Sequence, residues 1–243
     1  MKPKKISLFI PCLTEHLYPE PGLSMVRILE HLGLEVEYVE NQTCCGQPAF
    51  NSGYRSEIVP VAERFIKLFA DKAWVVAPSG SCVAMVRVFY DKLALNKELQ
   101  PHLERLKKKI FEFTEFLVDV MGVTDLGSRF PHRVTYHDSC HLNRELGVSS
   151  QPRLLLKQVK EIDFVEMDHS DLCCGFGGTF SYKFSDVSIA MVKRKCEYIE
   201  ASRAEYCAGA DSSCLMNIEG YLRKHGMKAK TIHIAELLGR NLG

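Results

Sequence analysis

Eight of the ten cysteines form two sets with nearly the same spacing, and this duplication constrains the fold of the 243-residue chain most strongly. In each set, one cysteine precedes a Cys-Cys-Gly triplet by 32 or 33 residues, and another follows it by 37 or 40. From composition alone, about 0.03 such triplets are expected, yet two occur. The first set is Cys12, Cys44, Cys45 and Cys82, and the second set is Cys140, Cys173, Cys174 and Cys214.

The repeat extends beyond the cysteines. The segment Phe111–Leu117 resembles Ile232–Leu238, at an offset of 121 residues. A repeat of this length predicts two similar domains packed together rather than a solenoid. We expect the first domain to cover residues 1–122 and the second to cover 131–243, because the intervening segment contains Gly122, Gly127 and Pro131.

Short apolar runs alternate with helical patterns in both halves. The predicted strands are Lys5–Pro11, Leu34–Val39, Trp74–Ala77, Ile110–Phe113, Arg133–His137, Phe164–Met167, Tyr206–Ala208 and Thr231–Ile234. This alternation predicts an α/β fold of two pseudo-symmetric cysteine-rich halves, each with a small parallel sheet flanked by helices. The cysteines follow predicted strands, and ligands gather at the carboxyl ends of parallel strands. Each half is therefore expected to bring four sulfurs to one sheet edge.

Charge and composition exclude several functions. Lys plus Arg is 31 and Asp plus Glu is 30, which gives no electrostatic reason to expect nucleic acid or an anionic membrane as a partner. The apolar run Ile6–Pro11 is too short for a signal peptide or a membrane span, so we predict a cytoplasmic protein without membrane insertion. Because the cytosol disfavours structural disulfides, the cysteines indicate metal binding.

Four converging thiolates suit an iron–sulfur cluster or zinc. Structural zinc sites usually use Cys-x₂₋₄-Cys pairs, and that spacing is absent from both sets, which favours iron–sulfur clusters and leaves zinc as the alternative in one site. The competing interpretation is that cysteines are buried as small apolar side chains. We apply it to Cys196 and Cys207, which have no counterpart in the other half.

Five longer motifs resemble the cysteine-rich, or CCG-domain, family, whose members include the heterodisulfide reductase B subunit and the glycolate oxidase iron–sulfur subunit. These motifs are Ile10–Leu13, Cys44–Gly53, Pro78–Cys82, Tyr136–His141 and Cys173–Gly178. The resemblance spans nearly the whole chain. It implies that the eight repeated cysteines bind one or two 4Fe–4S clusters.

The chain departs from the family pattern at one position of each half. Where the family has the first cysteine of a Cys-x-x-Cys pair, this chain has Ser79 and Asp211. Four sulfurs per site suffice for an ordinary 4Fe–4S cluster. The Asp211 carboxylate is either an oxygen ligand or a solvated or helix-capping group. His137 and His141 flank Cys140 and either contact the ligands or are ordinary polar residues of turns. No catalytic residue is identified.

The resemblance implies an iron–sulfur electron-transfer subunit of a multi-protein system that oxidises L-lactate to pyruvate. Because no flavin or nicotinamide motif is readable, we expect the chain to be inactive alone and to work with other iron–sulfur or flavin-bearing subunits. Two alternatives stay open. One is a disulfide or persulfide reductase subunit like heterodisulfide reductase, and the other is a zinc- or cluster-stabilised interaction module.

Overall fold

The computed structural model describes residues 3–242. The first half contains β1 (Lys5–Leu8), α1 (Cys12–His16), α2 (Pro19–His31), β2 (Glu35–Tyr38), α3 (Gln47–Asn51), α4 (Val59–Phe69), β3 (Val75–Ala77), α5 (Gly80–Ala84), α6 (Gln100–Lys107), β4 (Ile110–Glu112) and α7 (Phe113–Glu115). Two π-helical turns, Met85–Phe89 and Phe116–Val120, and two 3₁₀ turns, Tyr90–Lys92 and Lys97–Leu99, complete it.

The second half repeats this plan. It contains β5 (Arg133–His137), α8 (Ser150–Leu156), β6 (Asp163–Phe164), α9 (Phe180–Lys183), α10 (Ser185–Ala201), β7 (Tyr206–Gly209), α11 (Ser212–Lys224), β8 (Lys230–His233) and α12 (Ile234–Leu238). A π-helical turn at His141–Glu145 follows β5.

Each half contains a four-stranded sheet, and the two sheets have the same topology. Their strand orders are β2-β1-β3-β4 and β6-β5-β7-β8, and every pairing is parallel. The predicted α/β fold with two pseudo-symmetric halves is confirmed. In each half the first strand lies inside the sheet and pairs with a neighbour on each side. Because all strands are parallel, the loops that follow them meet at one edge of the sheet.

The two halves share a hydrophobic core. One cluster of buried side chains joins Ile28 of α2 and Phe116 of the first half to Tyr136 and Leu237 of the second. Helices α2 and α12 pack against each other within it. Each half also has an outer cluster, centred on Phe65 in the first half. The sheets are therefore covered on both faces, as parallel sheets require.

Several predicted elements have shifted boundaries. The strand predicted at Phe164–Met167 is limited to Asp163–Phe164, because pairing with β5 ends there and the chain turns toward the second set. The helix predicted to follow Cys82 begins earlier, at Gly80. The domain limits 1–122 and 131–243 stay a prediction. None of the helices in residues 3–242 is long and apolar enough to cross a membrane.

Candidate metal centres

The cysteines lie at the carboxyl edges of the two sheets, on the loops and helices that follow the strands. Cys12 is the first residue of α1, which follows β1, and Cys82 lies in the first turn of α5, which follows β3. In the second half, Cys140 follows β5 and Cys214 lies at the start of α11. Each Cys-Cys pair lies in the long loop after an edge strand. All ten cysteines are free thiols.

The four sulfurs of the first set form a continuous series of contacts. The Cys12 thiol donates to the Cys44 sulfur across 3.8 Å. Cys44 also accepts from the Gly46 N–H at 3.4 Å, and the neighbouring Cys45 thiol helps to lower the pKa of Cys44. The Cys12 hydrogen bond is the main reason that the pKa of Cys44 lies far below its usual value. Cys45 in turn contacts Cys82. These neighbours favour the thiolate form of Cys44, the form that binds metal.

The second set repeats this arrangement. Cys173 accepts from the Gly175 N–H at 3.4 Å. The neighbouring Cys140 thiol is the largest cause of a strongly lowered pKa of Cys173, and the Cys174 thiol adds to it. Cys174 also contacts Cys214. The two halves thus build the same sulfur site from equivalent residues.

Glycine is required where the chain turns after each cysteine pair. Gly46 has φ +89° and Gly175 has φ +83°, a region that favours glycine. A Cβ on Gly175 would lie 2.8 Å from the Ser188 carbonyl oxygen. The peptide carbonyls of the pairs are also held, since Tyr90 donates to the Cys45 carbonyl at 3.0 Å and Asn217 to the Cys174 carbonyl at 2.7 Å. These hydrogen bonds hold the peptide groups of both cysteine pairs in place.

The two sites adjoin each other. Each set opens onto a cavity, and the two cavities share lining residues from both halves, which are Gln47, Ser81, Phe176, Gly178 and Ser213. Gly178 packs against Pro48, so the segments that follow the two cysteine pairs touch. A group bound by one set would therefore lie beside a group bound by the other.

Asp211 links the two halves instead of facing solvent. Its side chain is buried, and its Oδ1 accepts from Ser79 Oγ at 2.7 Å, Ser81 Oγ at 2.7 Å and Ser81 N at 3.1 Å. Its Oδ2 accepts from Ser139 Oγ. The interpretation of Asp211 as a solvated carboxylate is wrong, because the side chain is buried and its oxygens accept from these serines. It makes no capping hydrogen bond to its own helix α11, but it accepts from the Ser81 N–H in the first turn of α5. Ser79 also caps α5 by accepting from the Cys82 N–H at 3.3 Å.

His137 lies against the second set. Within the described residues, one group of three possible metal ligands has all its donor atoms within 4.8 Å of one another, and it consists of His137, Cys174 and Cys214. All three are buried. Burial is the main reason that the pKa of His137 falls to about 3, so the ring is neutral and retains a lone pair.

His141 has a different environment. Its Nδ1 contacts the Gln47 amide of the other half, and its ring lies 5.5 Å from that of Phe89. It lines the cavity of the second set. One of its ring nitrogens is therefore already engaged in a contact between the halves.

Lys195, which the sequence analysis did not single out, is a fully buried cation beside the second set. Its Nζ donates to the carbonyl oxygens of His169 at 2.9 Å and Ser170 at 3.0 Å. Burial lowers its pKa. The helical spacing of Lys195 could have predicted its burial, because it lies three residues after Val192 and four before Ile199, both buried residues of α10.

The chemistry of the donor set fits a soft metal or an iron–sulfur group in each half. Four free thiols converge, one of them a stabilised thiolate, and peptide N–H groups point at sulfur. Such N–H donors tune bound clusters. Cys196 and Cys207 lie in the outer core of the second half, in the same buried cluster as Cys174 and Cys214, and burial raises the pKa of each thiol to about 12.

Known proteins share this duplicated sequence. The profile of the Cysteine-rich domain family (CCG) matches residues 6–87 and 134–219. Lactate utilization protein A of Oceanobacillus iheyensis is 47% identical over 234 residues, which cover 96% of this chain and 96% of that protein. The protein of the same name from Exiguobacterium sp. is 46% identical over 239 residues, with 98% of each chain covered.

A solved structure shares the fold. A hypothetical protein from Helicobacter pylori aligns with a TM-score of 0.59 at 13% identity, covering 98% of this chain and 49% of that one. At this identity the likeness concerns the fold alone. The family profile matches both halves, and the curated relatives match along almost the full length. The chain therefore belongs to the cysteine-rich domain family and, within it, to the group of proteins named Lactate utilization protein A.

Proposed function

We propose that this chain is the iron–sulfur electron-transfer subunit of a cytoplasmic multi-protein system that oxidises L-lactate to pyruvate. The observation that carries the proposal is the pair of adjoining four-thiol sites, one at the edge of each sheet. Relatives at 46–47% identity are named Lactate utilization protein A, which supports lactate as the substrate of the system.

In this proposal the first set holds one 4Fe–4S cluster and the second set holds a second metal centre. When bound, a 4Fe–4S cluster transfers single electrons. The chain itself supplies four sulfurs per site, donates peptide N–H groups of Gly46 and Gly175 to sulfur, and excludes water with buried side chains such as Phe9 and Tyr90. These residues fix the charge and the dielectric around each site, the properties that set a potential.

The spacing of the sulfurs supports a cluster in the first set. Tetrahedral zinc requires thiolate sulfurs about 3.8 Å from one another, given its bond length to sulfur. Among the described residues, no three sulfurs of the first set lie within 4.8 Å of one another, although Cys12 and Cys44 are 3.8 Å apart. The second set comes closer to the zinc geometry through Cys174 and Cys214, so zinc stays the alternative there.

Lactate oxidation needs partner proteins in this proposal. Conversion of L-lactate to pyruvate releases two electrons and two protons, and organic cofactors such as flavins carry such two-electron steps. We therefore place the lactate-oxidising step on a flavin-bearing or other iron–sulfur subunit, and we expect this chain alone to be inactive with lactate.

The metal content tests the proposal directly. We expect anaerobically purified protein to be brown and to contain iron together with acid-labile sulfide. Iron, sulfide and zinc are measured on the same sample. A colourless protein that binds only zinc after anaerobic reconstitution would exclude electron transfer and favour the interaction-module alternative.

Substitution of the paired cysteines tests the role of the sites. We expect Cys45→Ser or Cys174→Ser to abolish lactate oxidation by the complete complex, because an alcohol oxygen is a poor substitute for thiolate on iron. Cys196→Ser is the matched control and should retain activity, since Cys196 is buried and has no counterpart in the other half. Parent-like rates in Cys45→Ser and Cys174→Ser complexes would show that neither site lies on the electron path.

The reductase alternative has its own measurement. The anaerobic protein, reduced and mixed with a small disulfide in the absence of partners, is assayed for released thiols. Turnover would favour a heterodisulfide-reductase-like function. We expect no turnover, because Ser79 and Asp211 occupy the positions where the family has a fifth cysteine in each site. The Ser79 hydroxyl donates a hydrogen bond of 2.7 Å to the Asp211 carboxylate.

A further inference from the structure

The duplication allows each residue behind the second set to be compared with its counterpart behind the first. Phe9 and His137 are equivalent, because each precedes the first cysteine of its set by three residues. Helices α4 and α10 also correspond. A Cβ on Gly46 would meet Ile58, and one on Gly175 would meet Ser188, which gives an offset of 130. The same offset aligns Phe65 with Lys195.

The counterparts in the first half form an apolar wall. The Phe9 ring lies 4.7 Å from that of Phe65 and 5.7 Å from that of Phe69. Tyr90 packs on the same cluster, and its hydroxyl is used by the Cys45 carbonyl. No side chain of this wall offers a free donor atom to the first set, so the wall adds no ligand to the four thiols.

The second half places a histidine where the first half has Phe9. His137 is 1% exposed, and in the part of the chain that the structure describes neither ring nitrogen has a hydrogen-bond partner. The Ser170 carbonyl oxygen beside it already accepts from the Asp138 N–H and the Lys195 ammonium, each at 3.0 Å. Buried polar groups in native proteins almost always have partners, so two orphaned nitrogens need an explanation.

A ligand role supplies that explanation. The donor atoms of His137, Cys174 and Cys214 lie within 4.8 Å of one another. A neutral imidazole is a common metal ligand, and both zinc and iron accept imidazole together with thiolate.

We propose that the second centre is a mixed thiolate–imidazole site in which His137 is a direct metal ligand with Cys174 and Cys214, whereas the first centre is an all-thiolate site. This rests on the part of the proposed function that places a metal centre in the second set. It does not depend on lactate. The two halves, built on one plan, would then hold chemically different centres.

The test uses the full chain, freed of metal under anaerobic conditions, and Co²⁺ alone as the probe. Cobalt bound by thiolates gives sulfur-to-metal charge-transfer absorption, and pulsed EPR detects a coordinated histidine nitrogen. We expect one histidine nitrogen coupling in the parent protein. Labelling the parent protein with ¹⁵N-histidine should change this nitrogen coupling. This measurement needs no substitution, so it does not depend on whether a variant folds.

Two variants identify the histidine. His137→Phe, which introduces the residue of the first half, should remove the nitrogen coupling and retain charge-transfer absorption. His141→Gln should retain both signals. The proposal is overturned if the parent protein shows no histidine coupling, if the coupling persists in His137→Phe, or if it disappears in His141→Gln.

The native metal is identified separately. If it is zinc, the anaerobically purified parent retains zinc and His137→Phe loses it, with the iron content unchanged. If it is iron, His137→Phe changes the EPR spectrum of the reduced protein instead. If neither zinc content nor spectrum changes, His137 is not a ligand. Failure of lactate oxidation with a positive cobalt result would reject the proposed function while leaving the mixed site in place.

Discussion

Glu112 is a buried carboxyl group whose protonation affects the stability of the folded protein. It is fully buried at the end of β4, and its Oε2 accepts from the N–H groups of Thr114 at 2.8 Å and Glu115 at 3.2 Å. Among residues 3–242, its Oε1 has no hydrogen-bond partner. Burial, the largest cause, raises the pKa of Glu112 to about 8 despite these hydrogen bonds.

This raised pKa makes stability depend on pH. The folded protein holds the Glu112 proton up to about pH 8, whereas the unfolded chain releases it near 4.5. Stability from this group is therefore complete below pH 4.5 and is lost as pH rises toward 8. We expect Glu112→Gln, which retains a capping oxygen, to gain stability over the parent across this window, by a few kcal/mol at pH 8.

Thermal unfolding at intervals between pH 4.5 and 8 measures the effect. The exposed Glu98→Gln serves as the control, and its difference from the parent should stay constant with pH. A constant difference for Glu112→Gln as well would mean that its carboxyl is already ionised in the folded protein.

The residues that sequence reasoning misjudged are charged groups whose burial depends on distant partners. The Asp211 carboxylate is buried because serines 130 and 132 residues away along the chain surround it. Lys195 is buried against carbonyls of the loop that leads to Cys173. Local patterns carry no information about such partners. The thiols were predictable because their chemistry restricts them to few roles.

At the scale of elements, one glycine sets the distance between the halves. A Cβ on Gly80, in the first turn of α5, would lie 2.5 Å from Leu142 Cβ and 2.8 Å from its Cδ1. Leu142 belongs to the π-helical turn that follows Cys140. We expect Gly80→Ala to lower the free energy of unfolding by about 1–3 kcal/mol, because α5 must move away from the second half.

Gly220→Ala is the matched control. Gly220 lies inside α11, where a Cβ would meet nothing within 4 Å, so this change should stabilise by about 0.5–1 kcal/mol. Urea unfolding of both variants gives the comparison. Equal effects of the same sign would show that the contact between α5 and the turn is loose in solution.

The elements themselves were largely predictable. Arg133–His137 forms the predicted strand without change, and the other predicted strands overlap observed ones, because short apolar runs between turns are typical of buried parallel strands. Sequence patterns did not predict the π-helical turns, because these depend on packing between elements. They lie at Met85–Phe89, Phe116–Val120 and His141–Glu145. Strand order was not readable either, because parallel strands have similar sequences.

At the scale of the whole molecule, Asp211 connects the halves beside both candidate centres. We expect Asp211→Asn to destabilise the protein by about 1–3 kcal/mol, since the amide nitrogen cannot accept and one serine hydroxyl loses its acceptor on residue 211. The exposed Asp71→Asn is the control. Urea unfolding measures both variants, and an Asp211→Asn midpoint equal to that of the control would contradict a bridging role.

The shared core has a consequence for the independence of the two halves. A single half on its own would expose the apolar face that packs between α2 and α12. Stable proteins cover a patch of that kind, and here each half covers the other. Two copies of one half would cover it too, but their sites would be identical. Because both halves lie in one chain, each site has its own residues, as Phe9 and His137 show.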